Sequence, residues 1–291
     1  MARPISFVHL TDLHIGNPEK EDRWLLSDTT SKLRSLLRQI KALNPQPSFV
    51  VVTGDLTNTG EDGSYHQLSR ILTEENVAIP MLFALGNHDS REGLYRIMLG
   101  RTDDLSAPYS HAQVIAGVHV IVLDSTTPGS IGGLFEPEQF GWLANELDRH
   151  ADLPKLIAMH HPPAFEEDDR DPANEWMTLP LPDSARLRET LRGHNIVGIL
   201  CGHIHHDRIS NWHGIPVAVG IGNHFALDVA FLPHGQRMLA ASSFAIGHIR
   251  PSGLTISYVA QPSDLSELYK VTNAQWEAVA GNLDNVSEPS E

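Results

Sequence analysis

The sequence predicts an α/β protein built as a two-sheet sandwich flanked by helices. Five short apolar runs between residues 5 and 200, each ending in a polar cluster, are interleaved with helical periodicities, the order that yields a parallel sheet with right-handed crossovers. After residue 210 the apolar runs are separated by Gly, Pro and polar residues, the mark of antiparallel strands forming a second sheet. At 291 residues the chain can bury a large core.

Ile5-Ser6-Phe7-Val8-His9-Leu10 is the first strand. Residues 27–43 follow, with Leu33, Leu36, Leu37, Ile40 and Leu43 at the three-and-four spacing of a helix with one buried face, stopped by Asn44-Pro45. A second strand at 48–53 leads through Asp55 to a helix over 63–75 with Leu68, Ile71 and Leu72 inward, and a third strand occupies 80–85. Residues 91–99 read as a short helix, and Val114 to Leu123 as a hairpin turning at Ala116-Gly117. Asp124 ends that hairpin and starts a turn. Residues 137–150 form a helix with Pro137 in its first turn, and 156–159 and 196–200 are further strands. Between them, Phe165 to Pro182 reads as an exposed loop beside the site, suited to substrate selection. Strands follow at 215–221, 238–246 and 253–260, so the main domain spans 1–262. The appendage, 263–291, is expected as a helix over Leu265 to Val279 and a disordered tail from Asn282.

The strand ends carry the chemistry. Asp12 and His14 follow the first run, Asp55 the second, Asn87, His88 and Asp89 the third, His160 and His161 the fourth, and His203 and His205 the fifth. In open α/β folds the C-terminal strand ends are where ligands bind. Asp12, His14, Asp55, Asn87, one of His160 and His161, His203 and His205 supply carboxylate, amide and imidazole donors that suit Mn, Fe, Zn or Mg, and these seven suffice for two ions if one carboxylate is shared. Two such ions support phosphoryl transfer, which then needs no protein nucleophile. No Ser or Cys lies in a nucleophile motif, and Cys201, inside an apolar strand, reads as a small buried hydrophobe.

A formal net charge of −15 argues against a nucleic-acid duplex as partner, since such binders neutralise phosphates with Lys and Arg. No apolar run reaches the roughly 20 residues a membrane span needs, and no signal-peptide pattern opens the chain, so the cytoplasm is the expected location. Apolar C-terminal strands offer a homodimer surface.

The blocks Asp12-x-His14, Gly54-Asp55, Gly86-Asn87-His88-Asp89, His160-His161-Pro162 and Gly202-His203-x-His205 occur in this order. Over about residues 5–225 the chain resembles the calcineurin-like metallophosphoesterase superfamily. Its spacing, with Gly60 to Tyr65 and the His-His-Pro-Pro block, is most similar to class III cyclic nucleotide phosphodiesterases and related glycerophosphodiesterases. The resemblance implies a four-layer αββα fold and two divalent ions. It implies that Asp12, His14 and His205 bind one ion, Asn87, His160 and His203 the other, and that Asp55 bridges. His160 rather than His161 is the expected ligand because it directly ends its strand. Asn87, His88 and His206 are the expected substrate contacts, with His88 assisting the leaving oxygen; Asp89 either orients His88 or caps the helix after it. His9, His224 and His248 have weaker claims. The implied activity is hydrolysis of small phosphodiesters. A monoesterase or nuclease with the same metals and a non-catalytic interaction module are the alternatives, and the acidic run Glu166 to Asp169 disfavours long polyanions.

Overall fold

In a computed structural model of the chain, the structure describes residues 4–166 and 176–275. The first sheet contains β1 (Ile5–Leu10), β2 (Phe49–Thr53) and β3 (Met81–Ala84), all parallel, with two later strands added antiparallel on the open edge of β1. Its helices are α1 (Thr29–Ala42), capped by the Asp28 carboxylate accepting from Ser31 N–H, and α2 (Asp62–Glu75), which ends at the left-handed Asn76. The short helix expected at 91–99 is α3 (Arg91–Gly93), continued by a π-helical turn over Leu94–Met98.

The chain then starts a second sheet with the hairpin β4 (His111–Ile115) and β5 (Val118–Val122). It turns at Ala116 and Gly117, both with positive φ, as a two-residue hairpin loop requires. Helix α4 (Pro137–Arg149), entered through a Glu136/Gln139 capping box, leads to β6 (Lys155–Ala158); α5 (Leu181–Leu191) leads to β7 (Ile196–Cys201). β8 (Arg208–Trp212) and β9 (Ile215–Val219) complete six strands in the order β4-β5-β6-β7-β9-β8, of which β5, β6, β7 and β9 run parallel. β10 (Ala226–Leu227) and β11 (Gly235–Leu239) lie outside both sheets. β12 (Ser243–Arg250) and β13 (Gly253–Ala260) return to finish the first sheet as β13-β12-β1-β2-β3. β14 (Glu267–Thr272) pairs with β11.

Period-two alternation sorts the side chains into layers. Phe7, Phe49, Val51 and Leu82 point inward against Val120, Val122, Leu156, Ala158 and Leu200 of the second sheet. Alternate residues Val8, Leu10, Val50 and Val52 pack on Leu33, Leu37, Ile40, Leu68 and Ile71 of α1 and α2. Ile121, Ile157, Ile199 and Cys201 meet Leu143, Leu147, Leu187 and Leu191 of α4 and α5. The result is four layers, αββα, as expected.

Three expectations are corrected. The five strands carrying polar ends do not share one sheet: β1 to β3 belong to the first, β6 and β7 to the second, because the β4–β5 hairpin opens a new sheet. Residues 265–279 do not form one helix; Tyr269, Val271 and Thr272 suit a strand, and β14 pairs antiparallel with β11 in a small third sheet, β10-β11-β14. The tail beyond 275 lies outside the described residues. The segment from Phe165 to Pro182 is not simply an exposed loop: Leu179 is fully buried and Phe165 and Met177 pack on the second core, while 167–175, with most of the acidic run, lie outside the described residues.

Phe7 stacks on Phe49 at 5.3 Å between the sheets, backed by Gly247. Phe7→Ala is expected to cost about 3–5 kcal/mol, read as a lower midpoint in urea unfolding. His9 on β1 sits with Nε2 2.7 Å from Thr53 Oγ1, and burial pushes its pKa from 6.5 down to about 3. The unfolded chain therefore binds the extra proton, so this contribution is full above pH 6.5 and is lost as pH falls toward 3. Between pH 7 and 5 the metal-free wild type should lose more stability than His9→Gln, by up to about 1.4 kcal/mol per pH unit.

Candidate metal centre

Each site residue is placed by the loop that leaves a parallel strand. Asp12 and His14 follow β1, Asp55 follows β2, Asn87 and His88 follow β3, His160 follows β6, and His203 and His205 follow β7. The loops are strained: Asp12, His14, Asp55, His203 and His205 all have φ between 46° and 73°, in the left-handed region that non-glycine residues avoid. Such backbone persists where surrounding structure over-determines it, and it gathers at functional sites. Close packing supplies that constraint. A Cβ on Gly202 would collide with Thr11 Oγ1 and Asp12 Oδ2, and one on Gly86 with Asp55.

The two sheets bring these residues together. His14 Nε2 lies 3.4 Å from Asp55 Oδ2 and 3.9 Å from Asp12 Oδ1; His205 Nε2 lies 3.3 Å from Asp12 Oδ1. His160 Nε2 lies 3.4 Å from Asp55 Oδ2 and 3.1 Å from Asn87 Oδ1. The ring centroids of His160 and His203 are 5.0 Å apart. Asp12, His14, Asp55 and His205 offer ligand atoms within 4.8 Å of one another, and His160, His161 and His203 form a second such group.

Four of the histidines have the ring nitrogen facing away from the cluster committed to an oxygen. His14 Nδ1 lies 2.8 Å from Asn58 Oδ1, His160 Nδ1 2.8 Å from the Thr53 carbonyl, His203 Nε2 2.6 Å from the Trp176 carbonyl, and His205 Nδ1 2.9 Å from the Phe225 carbonyl. Donation to these acceptors leaves the inner nitrogen to face a cation, through its lone pair in a neutral ring and, in His160, once the proton held by Asp55 has left, the arrangement that supports metal-bound imidazoles. His161 differs: Nε2 is 3.0 Å from the Ile131 carbonyl and Nδ1 is 2.8 Å from Ser125 Oγ. Neither partner of His161 is a candidate ligand, whereas His160 Nε2 faces Asn87 and Asp55, which favours His160 for a ligand position.

The electrostatics fit a cation. His14 Nε2 is buried without a hydrogen-bond partner, an expensive state unless something binds there. Burial pushes the Asp12 carboxyl up, against the opposing pull of His205 and His160. Burial would also raise Asp55, yet His160 and His88 hold it well below the usual carboxylate range. Burial lowers His160, but Asp55, Asp12 and the Thr53 carbonyl together outweigh it and lift the ring to about 9. A divalent cation between these buried carboxylates would supply the positive charge that their environment favours.

His88 is exposed, unlike the histidines around it. Its backbone N–H donates to Asp55 Oδ1 at 2.9 Å and its Nδ1 lies 2.8 Å from the Asn58 carbonyl, leaving Nε2 toward the crevice. Asp89 does neither thing expected of it. Its carboxylate accepts from Gly86 N–H (2.9 Å), Leu56 N–H (2.9 Å), Thr57 N–H (3.0 Å) and Thr57 Oγ1 (2.9 Å). It therefore ties the Asp55 loop to the Asn87 loop, while Ser90 caps α3. His206 is buried with Nε2 unpartnered and its pKa pushed down by burial to about 4. His224 lies nearer the cluster, its ring 4.7 Å from that of His14. Its Nε2 accepts from Leu26 N–H at 2.9 Å, so its proton sits on Nδ1, which is buried and unpartnered. Asn58, which supports both His14 and His88, gave no signal in the sequence because a loop asparagine has no periodicity or motif partner. Asp124 does start its turn, accepting from Thr126 N–H, and also holds Arg91 at 2.8 Å.

Residues 5–207 match the calcineurin-like phosphoesterase family, and the chain belongs to it. Together with the donor set, this makes the site a divalent-metal centre of a phosphoester hydrolase. Among its relatives, a probable cyclic nucleotide phosphodiesterase of Rhodococcus erythropolis is 33% identical over 81% of this chain and 76% of its own length. A cAMP/cGMP dual specificity phosphodiesterase of Mycobacterium tuberculosis is 32% identical over 79% and 71%. A probable glycerophosphodiester phosphodiesterase GpdQ of Arcobacter nitrofigilis is 28% identical over 76% and 80%. The fold is similar to that of a purple acid phosphatase from yellow lupin, with a TM-score of 0.61 at 12% identity, covering 92% of this chain and 53% of that one. No helix among the described residues is long and apolar enough to cross a membrane.

Asp89→Ala would leave three backbone N–H groups of the ligand loops unpaired. It should lower stability by about 2–3 kcal/mol or more and weaken divalent-metal binding in a titration. If Asp89 instead oriented His88, metal affinity would hold and only turnover would fall.

Proposed function

We propose that the protein is a phosphodiesterase acting on small diesters of the cyclic nucleotide or glycerophosphodiester type, with two divalent ions of the Mn, Fe or Zn class. The observation that carries this is the convergence of four imidazoles, each with its outer nitrogen tied down, on two buried carboxylates beside the exposed His88. The named activities of the relatives favour a diester over a monoester.

Asp12, His14 and His205 would hold one ion, Asn87, His160 and His203 the other, and Asp55, with two oxygens to share, would bridge them. When bound, the ions supply Lewis acidity and an activated water for in-line attack at phosphorus. The Asn58 carbonyl orients His88 by accepting its Nδ1–H, and Nε2 of the ring in its imidazolium form gives its proton to the departing alkoxide oxygen, leaving the neutral Nδ1–H tautomer. His224, its ring 4.7 Å from that of His14 and its Nε2 held by Leu26 N–H, braces the His14 side of the centre. Asn87 positions the phosphate, and Asp89 keeps its loop in register with Asp55. His206 belongs to the pocket wall.

The test is turnover by the metal-loaded protein of cyclic AMP, a glycerophosphodiester and a phosphomonoester, with and without chelator. Diester turnover abolished by chelation is expected; turnover of the monoester alone would overturn the reading. His88→Ala should keep its metal content and lose about 10²- to 10⁴-fold in kcat. Asn87→Ala should lose one ion and most activity by metal analysis and assay, and full activity in that variant would remove Asn87 from the ligand set.

A further inference from the structure

The rim of the same crevice carries an aromatic side chain that the site described so far does not use. Trp24, 50% exposed, lies on the loop between Ile15 and α1, and that loop is fastened to the site on both sides of it. Two residues earlier, Asp22 Oδ2 accepts from Asn58 Nδ2 at 2.6 Å, the same Asn58 that supports His14 and His88. Two residues later, Leu26 N–H donates to His224 Nε2. Asp22 Oδ1 also accepts the Trp24 backbone N–H at 2.9 Å, which holds the loop's main chain at that residue.

The indole has company suited to a planar ligand. The Tyr269 ring, on β14, meets it T-shaped at 5.7 Å and 80°, and the Arg23 guanidinium lies over the indole, 5.2 Å from its centroid. The small third sheet thus buttresses a wall whose other supports are the partners of His14, His88 and His224.

We propose that Trp24, braced by Tyr269 and Arg23, is a stacking platform for the base of a nucleotide whose phosphate sits at the metal centre beside His88. This rests on the diester reading and adds to it a substrate class, nucleotide rather than glycerol diester. Stacking on an aromatic face is tolerant of base identity, so the platform serves adenine and guanine alike. Arg23 adds a positive charge at the rim in a chain of net charge −15, which would otherwise repel an anion.

The experiment is calorimetry on the metal-loaded full chain with 5′-AMP and with ribose 5-phosphate, which share a phosphate and differ by the base. AMP is expected to bind roughly tenfold more tightly, Trp24→Ala to erase that difference, and Trp24→Phe to keep most of it. In turnover, kcat/KM for cyclic AMP relative to glycerophosphoethanolamine should fall by the same factor in Trp24→Ala, through KM rather than kcat. Equal affinity for the two ligands in the wild type, or a base preference that survives Trp24→Ala, overturns the platform. A wild type that prefers AMP yet hydrolyses no diester supports the platform and overturns the phosphodiesterase reading alone.

Discussion

Two carboxylates, Asp12 and Asp55, lie almost wholly out of water, and most of the crevice answers to that fact. An ionised carboxylate in a dry interior is costly unless opposite charge and hydrogen bonds surround it. Here Thr11 Oγ1 donates to Asp12 at 2.6 Å, the His203 N–H reaches both Asp12 oxygens at 3.2 Å, and the His88 N–H reaches Asp55. Imidazoles fill the remaining directions, each held from behind by an oxygen. The same requirement explains the backbone. Bringing N–H groups and rings onto two carboxylates forces the loops after β1, β2 and β7 into left-handed φ, a cost borne by the packed sheets beneath.

The layered fold was legible because its signal is local and repeated. Leu33, Leu36, Leu37 and Ile40 state a helix, the run from Phe49 to Val52 states a buried strand, and Ala116-Gly117 states a tight turn. Sheet membership was less so: whether the run at Leu156 to Ala158 pairs with β1 or with β5 depends on partners far along the chain, and nothing within the run distinguishes them. Helix α5 and the strand character of Glu267–Thr272 were missed for related reasons. The first sits behind a proline-rich, acidic approach, and the second is specified by its partner β11.

The site divides the same way. Residues that would touch a cation stood out because several ligand-type side chains ending successive strands are improbable by chance. Residues that support them did not. Asn58 is one polar loop residue among many, and the carbonyls of Thr53, Trp176 and Phe225 that steady the histidines are available from any sequence. Asp89 shows the limit clearly: adjacent to His88 in the chain, it is turned away from it in space, because a side chain beside a tight loop reaches the backbone more easily than its neighbour's ring.

The split of the strands between two sheets has a mechanical consequence. Asp12, His14, Asp55 and Asn87 hang from one half of the sandwich, while His160, His203 and His205 hang from the other. A cation held by both groups is therefore a rivet through the seam of the molecule, and ion occupancy and global unfolding become one linked equilibrium. Withdrawal of the ion would loosen the clasp between the halves as well as silence the chemistry.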